Sequence, residues 1–196
     1  MTETATPLQS YPWTTHLNDL EVEFRLMGEE DFDAILAFTR SLPEHDLLFL
    51  RIDITQEDTV RQWFENIRLG ITTTILAEEN GEIIGYVSLH RPNILWTRHL
   101  AEIRLLVRSN FRGKGIGSAL ARQIFAIAQA SDLHKLMVQM MSTQRSAQSL
   151  FHHLGFIPEA MLHDWVIDRN GRMHDLIIMS REVDDPELEG YEEPSI

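Results

Sequence analysis

The sequence predicts a mixed α/β fold, an α+β sheet of parallel and antiparallel strands with helices on both faces. Three observations predict it. β-rich stretches flank Asn80-Gly81 and again Asn170-Gly171, and this dipeptide accepts the positive φ angles of a tight type I′ hairpin turn. Residues 101–141 read strand, long helix, strand, a unit whose two strands pair in parallel. Gly113, Gly115 and Gly117 alternate at the junction of that strand and helix, where the chain turns sharply.

Each element has its own signal. "EVEFRL" (21–26) alternates as a strand does, and "EEDFDAILAFTRSL" sets Phe32, Ile35, Leu36 and Phe38 at helical spacing before Pro43 closes the helix. Thr55 and Asp58 have capping-box spacing at the head of a second helix, "QEDTVRQWFENIRL", which Gly70 stops. The hairpin "TTTILAEE"/"EIIGYVSLH" follows, then a strand at 101–107, a helix at about 115–130 and the strand "HKLMVQMM". A shorter helix with Ala147, Leu150, Phe151 and Leu154 on one face ends at Gly155, and "EAMLHDWVID" and "RMHDLIIMS" form the last hairpin. The order is β-α-α-β-β-β-α-β-α-β-β. Domain boundaries follow: a flexible extension at 1–20, one domain at 21–183, and an acidic tail at 184–196.

Composition narrows the function. A chain of 196 residues that is 43% hydrophobic suits one domain with a substantial core. It has no cysteine, which excludes disulfides, thiolate metal sites and a cysteine nucleophile. A formal charge of -13 argues against general nucleic-acid binding. Neither a secretory signal nor an apolar run of the roughly 20 residues needed for a membrane span is present, so a cytoplasmic protein is expected. The tail after Arg181 carries seven acidic residues and no basic one, a pattern of solvated extensions that could also draw a basic partner.

The basic residues of this acidic chain gather where the glycines are: Arg108, Arg112 and Lys114. A helix begins with unpaired N–H groups and the positive end of its dipole, and glycine lets an anion approach those amides. The turn therefore reads as a phosphate cradle. It is not a Walker A loop, because Arg108 stands where the first glycine belongs and Gly115 where the hydroxyl belongs. The dinucleotide fingerprint would need glycine at Ser118.

Val107, four residues, then Arg112-Gly113-Lys114-Gly115-Ile116-Gly117 resembles the V-x-x-x-x-[QR]-x-x-G-x-[GA] signature of the GNAT superfamily of acyl-CoA-dependent N-acetyltransferases. "SAQSLFHHLGF" (146–156) resembles that family's second signature helix, and the element order from about residue 21 to 181 is similar to the family fold. The resemblance implies a mostly antiparallel sheet with a splayed central parallel pair, the strand at 101–107 being bent by a bulge and parting from the strand at 134–141. Unpaired backbone groups need partners, and those of Leu105, Leu106 and Val107 would hold the pantetheine arm of acetyl-CoA. The amides of Arg112, Gly113, Lys114, Gly115, Ile116, Gly117 and Ser118 would hold its pyrophosphate. The partners implied are acetyl-CoA as co-substrate and an amine acceptor, with no metal, nucleic acid or membrane; a homodimer is compatible with this.

For the chemistry, strand alternation places Glu102, Arg104 and Leu106 on one face. Glu102 is the candidate base by resemblance, and a glutamate merely paired with Arg104 or another arginine is the competing reading. Phe151 stands where many family members have an acidic tyrosine, so it could wall the acyl group but not donate a proton. Of the adjacent His152 and His153, at most one can face the site. Trp96 and His99 in "LWTRHL" are candidates for the border of the acceptor cleft, and His163-Asp164 with His174-Asp175 could meet only if the last hairpin's register aligned them. The expected activity is acetyl transfer to a primary amine, of a small molecule or peptide, by direct attack in a ternary complex. The alternative is a non-catalytic acyl-CoA-binding or regulatory module.

Overall fold

The computed structural model describes residues 10–47, 50–92 and 94–183. In chain order these form β1 (Trp13–Leu17), β2 (Leu20–Leu26), α1 (Phe32–Arg40), α2 (Glu44–Leu47), α3 (Glu57–Arg68), β3 (Thr72–Glu79) and β4 (Glu82–His90), then β5 (Leu100–Val107), α4 (Ile116–Gln129), β6 (Lys135–Met141), α5 (Arg145–His153), β7 (Ile157–Ile167) and β8 (Met173–Glu182). One sheet of eight strands runs β1-β2-β3-β4-β5-β6-β8-β7. Every neighbouring pair is antiparallel except β5–β6, which the strand–helix–strand unit makes parallel.

Helices cover both faces. On one, α1 and α3 bury Ile35, Phe38, Val60 and Trp63 against Leu76, Tyr86 and Leu106. On the other, α4 buries Ile116, Leu120 and Ile124 against Phe24, Val87, Ile103 and Val107, and α5 adds Phe151. Burying each such aliphatic side chain is worth about 1.5–3 kcal/mol. The alternation of β5 thus divides Glu102, Arg104 and Leu106 from Ile103, Leu105 and Val107, which lie on the α4 side. Among the described residues, no helix is long and apolar enough to cross a membrane.

Four sequence expectations are corrected. Residues 1–20 are not wholly an extension, because Trp13–Leu17 pair with β2 and Trp13 stacks on Phe24 with ring centroids 5.3 Å apart. The Thr55–Asp58 capping box does not form, since Thr55 gives its hydroxyl to Asp53 Oδ1 at 2.6 Å and Gln56 becomes the N-cap of α3. Pro43 ends one helix but is followed at once by the short α2. Asn80 and Gly81 both adopt positive φ as a type I′ turn requires, whereas at the last hairpin only Gly171 does. There the Asp168 carboxylate accepts the N–H groups of Asn170 and Arg172, and the Asp168 carbonyl accepts that of Gly171. Those bonds organise a wider turn. The acidic tail at 184–196 lies outside the described residues.

Candidate active site

Pairing between β5 and β6 stops at Glu102↔Met137, although β5 continues to Val107 and β6 to Met141. The facing edges beyond that point therefore have backbone groups with no strand partner. The bulge implied for β5 is absent: its register with β4 is unbroken from His90↔Glu102 to Gly85↔Val107. The irregularity lies one strand over, where β3 and β4 shift register between Ala77 and Glu78. A bulged strand bends, and β5 is held to that β4 strand from Glu102 to Val107. Gly85 permits this closeness, since a Cβ there would stand 2.8 Å from the Leu106 carbonyl oxygen.

The split opens into a cleft of ≈ 2060 Å³ that also receives the glycine turn. Gly113 and Gly115 hold φ of +77° and +86°, conformations that side chains rarely adopt. The Arg112 N–H is taken by the Ser109 carbonyl at 3.3 Å, which removes it from the expected set; the next to close on a backbone carbonyl is that of Ala119, on Gly115 at 3.0 Å, so the amides between stay available to an anion. Asn18 Nδ2 holds the turn from outside, donating to the Lys114 carbonyl at 3.1 Å. A Cβ on Gly117 would come within 3.3 Å of Leu150 on α5 and intrude on the gap between the two helices. Open strand edge, available amides and a cradle a side chain would fill fit the pantetheine and pyrophosphate of acetyl-CoA. Leu105, Leu106, Val107, Arg112, Gly113, Lys114, Gly115, Gly117, Ser118 and Phe151 all line this cleft. Ile116 does not; its side chain is 1% exposed in the core, which leaves only its N–H for the turn.

The positive field differs from the one the sequence suggests. Arg108 turns to the α1 face, where it lies over Phe38, donates to Ser41 Oγ at 3.1 Å and pairs with Glu82 at 3.6 Å. Arg112 lines the cleft but its guanidinium is held by Asp46 at 2.8 Å and its Nε donates to the Val107 carbonyl. Lys114 sits over the ring of Phe111. Arg122 and Arg145, which no motif marks, also line the cleft.

Deeper in the cleft, Glu102 is bound by two arginines. Arg51 Nη1 lies 2.5 Å from its Oε1, and Arg104, on its own strand, reaches Oε2 at 3.2 Å. Burial opposes ionisation of Glu102, but the bonds and charge of Arg104 and then of Arg51 outweigh it and hold its carboxyl below the usual glutamate range. Opposite Glu102 on β4 stands His90, which shares a hydrogen bond through Nδ1 with Thr72 Oγ1 at 3.1 Å. Burial first, then the Arg104 charge, pushes its imidazole down to about 4, so it is neutral at pH 7. Ser88, fully buried and bonded to Thr74, and Tyr86, whose phenol burial raises to about 12, continue the same face. The alternation of "EIIGYVSLH" was the available signal for these three. Arg51 had none, for it arrives from the loop between α2 and α3.

Other candidates are not brought to the cleft. Trp96 is 82% exposed, and neither it nor His99 is among the lining residues. His153 lines the cleft and His152 does not. Phe151 is buried against Phe156, ring centroids 5.2 Å apart, with its ring at the cleft wall. The last hairpin sets His163 2.8 Å from Asp175 with Asp164 beside them, while His174 turns to Asp168. That exposed trio satisfies its own polar groups and does not border the cleft.

This combination of a splayed parallel pair and a glycine turn at a helix head defines a class, the acyl-CoA-dependent acetyltransferases. The family model of the acetyltransferase (GNAT) family matches residues 32–156, and the chain belongs to that family. It is an N-acetyltransferase that uses acetyl-CoA and an amine acceptor. It is similar to the L-amino acid N-acyltransferase of Escherichia coli, 28% identical over 128 residues that cover 63% of this chain and 72% of that one. Among solved structures it resembles the ribosomal-protein-alanine N-acetyltransferase of Brucella melitensis, at 25% identity and TM-score 0.72, covering 81% of this chain and 98% of that one. A ribosomal L7/L12 α-N-protein acetyltransferase in complex with coenzyme A shares the fold at 16% identity and TM-score 0.71, covering 88% and 99%.

Proposed function

We propose that the acceptor is a small primary amine carrying its own carboxylate, of the amino-acid kind, and that it attacks directly while both substrates are held in a ternary complex. The observation that carries this reading is the charge balance of the inner wall: two guanidinium groups, Arg51 and Arg104, against the single carboxylate of Glu102, with the neutral His90 opposite it on β4. A plain alkylammonium gains little there, whereas an acceptor with both charges can match both signs. The Escherichia coli relative is named for L-amino acids, which agrees with this.

Acetyl-CoA, when bound, supplies the activated acetyl carbon and a thiolate leaving group. The amides of Gly113 to Ser118 hold its pyrophosphate, and the open β5 edge at Leu105, Leu106 and Val107 takes the pantetheine amides. A main-chain N–H on that edge serves as oxyanion donor. Glu102 receives the proton of the attacking amine, directly or through water. Phe151 walls the acyl end, and the thiolate, with a pKa near ~8.5, leaves without an acid.

Thiol release measured with a panel of amino acids, each beside the amine that lacks its carboxylate, tests the reading. Higher kcat/KM on the amino acids is expected, and a consistent preference for the plain amines overturns it. Coenzyme A binding with no thiol release on any acceptor is the behaviour of a non-catalytic module. A cytoplasmic location and a homodimer belong to the same proposal. The dimer is supported by the outer strand β7, which exposes Ile157, Met161, Trp165 and Ile167, and sedimentation tests it.

A further inference from the structure

We infer that Arg51 is a substrate-responsive gate on Glu102: it receives the acceptor's carboxylate and, in leaving Glu102 Oε1, opens that oxygen to the proton of the amine. The inference rests on the amino-acid reading above.

The two arginines on Glu102 differ in kind. Arg104 shares its strand and face, spans both carboxylate oxygens at 3.4 and 3.2 Å, and is 30% exposed. Arg51 comes from the loop between α2 and α3, touches Oε1 alone, and is 49% exposed, against 13% for Glu102. A half-exposed guanidinium held by one contact exchanges partners at little cost, because solvent screens the pair. An arriving carboxylate offers Arg51 the paired geometry that a guanidinium prefers, in place of a single contact.

The backbone beside Arg51 is anchored, while its side chain is held through the single contact to Glu102. Asp53, two residues on, is bound by Arg169 of the last hairpin at 2.9 Å and accepts both the N–H and the hydroxyl of Thr55. The loop can therefore stay in place while the long side chain moves.

The groups facing Glu102 are Arg51 from the loop, Arg104 from its own strand and His90 from β4, with Met137 opposite on β6. Departure of Arg51 removes one of two cations and raises the proton affinity of the carboxylate when the amine is beside it. The ammonium first gives one proton to water. The N–C bond then forms as the C–S bond breaks, the electron pair leaves on sulfur, and the second proton passes to Glu102. Return of Arg51 after product release favours loss of that proton to water or thiolate.

The test compares wild type, Arg51→Ala and Arg51→Lys with L-leucine and with 3-methylbutylamine, its decarboxylated counterpart. Arg51→Ala is expected to lower kcat/KM on leucine by on the order of 10- to 100-fold, the loss of a charged hydrogen bond. On the amine it is expected to raise kcat/KM several-fold and to move the acid limb of the pH profile upward. Arg51→Lys should recover part of the leucine rate. Equal losses on both acceptors, with the wild type still preferring leucine, overturn the gate alone and make Arg51 a brace for the loop. A wild type that prefers the amine overturns the gate and the acceptor reading together.

Discussion

Arg112 reaches from the glycine turn to Asp46, its Nη2 2.8 Å from a carboxylate whose side chain is only 2% exposed. A residue of the glycine turn thus ties that turn to α2. Arg112→Met should cost about 1–2 kcal/mol by urea unfolding, less than breaking a fully buried pair because Arg112 itself is 46% exposed and Asp46 keeps a further interaction. Coenzyme A affinity should fall less than tenfold; a fall beyond a hundredfold would show that the guanidinium reaches the phosphates.

Gly115→Val tests the cradle. At φ +86° a β-branched residue is strained by roughly 1–2 kcal/mol. Gly81, at φ +78° in the β3–β4 turn and away from the cleft, is the matched control. Both valine variants should lose stability similarly, while calorimetry should find coenzyme A affinity lost only in Gly115→Val. Equal affinity in the two would remove the turn from the binding site.

Replacing the carboxylate of Glu102 by an amide should lower kcat by about 10²-fold, the usual weight of a positioned proton acceptor. Coenzyme A affinity should change little. A Glu102→Gln enzyme with wild-type kcat across the pH range would leave Glu102 as a counter-ion for the two arginines.

His90 should make stability depend on pH. Its folded value of about 4 lies below the ordinary 6.5, so between those values the unfolded chain holds a proton that the folded chain lacks. Stability from this group is full above about pH 6.5 and falls as the pH drops toward 4, by on the order of 2–3 kcal/mol. Glu102 and Asp31, both held below the ordinary carboxylate range, add their losses at lower pH, below about 4.5. Urea midpoints of His90→Gln should be flatter than wild type between pH 4 and 6.5; parallel curves would mean the imidazole titrates normally.

Much of this molecule was legible because local chemistry controls it. The glycine turn, the Asn80-Gly81 hairpin and the strand–helix–strand unit each rest on φ preferences or apolar spacing over a few residues. The candidate site was legible in that the residues predicted along β5 and at the head of α4 come to line one cleft, Ile116 excepted. Misreadings fell where a side chain had competing partners: Thr55 went to Asp53 and not to its helix, and Asp168 reshaped a turn that Asn170-Gly171 alone would have made type I′. β1 was missed because its burial depends on pairing and stacking with β2 and on Trp13 and Leu17 packing against the core.

The sequence by itself determined the fold class, the family and the donor side of the reaction, since those reside in contiguous backbone motifs. Only the tertiary structure decided what surrounds Glu102. Arg51 and His90 lie 51 and 12 residues away along the chain, and it is burial together with the arrival of Arg51 beside the local Arg104 that sets the carboxylate's ionisation. Charge acts through distance and burial, and neither is written in the local order of residues.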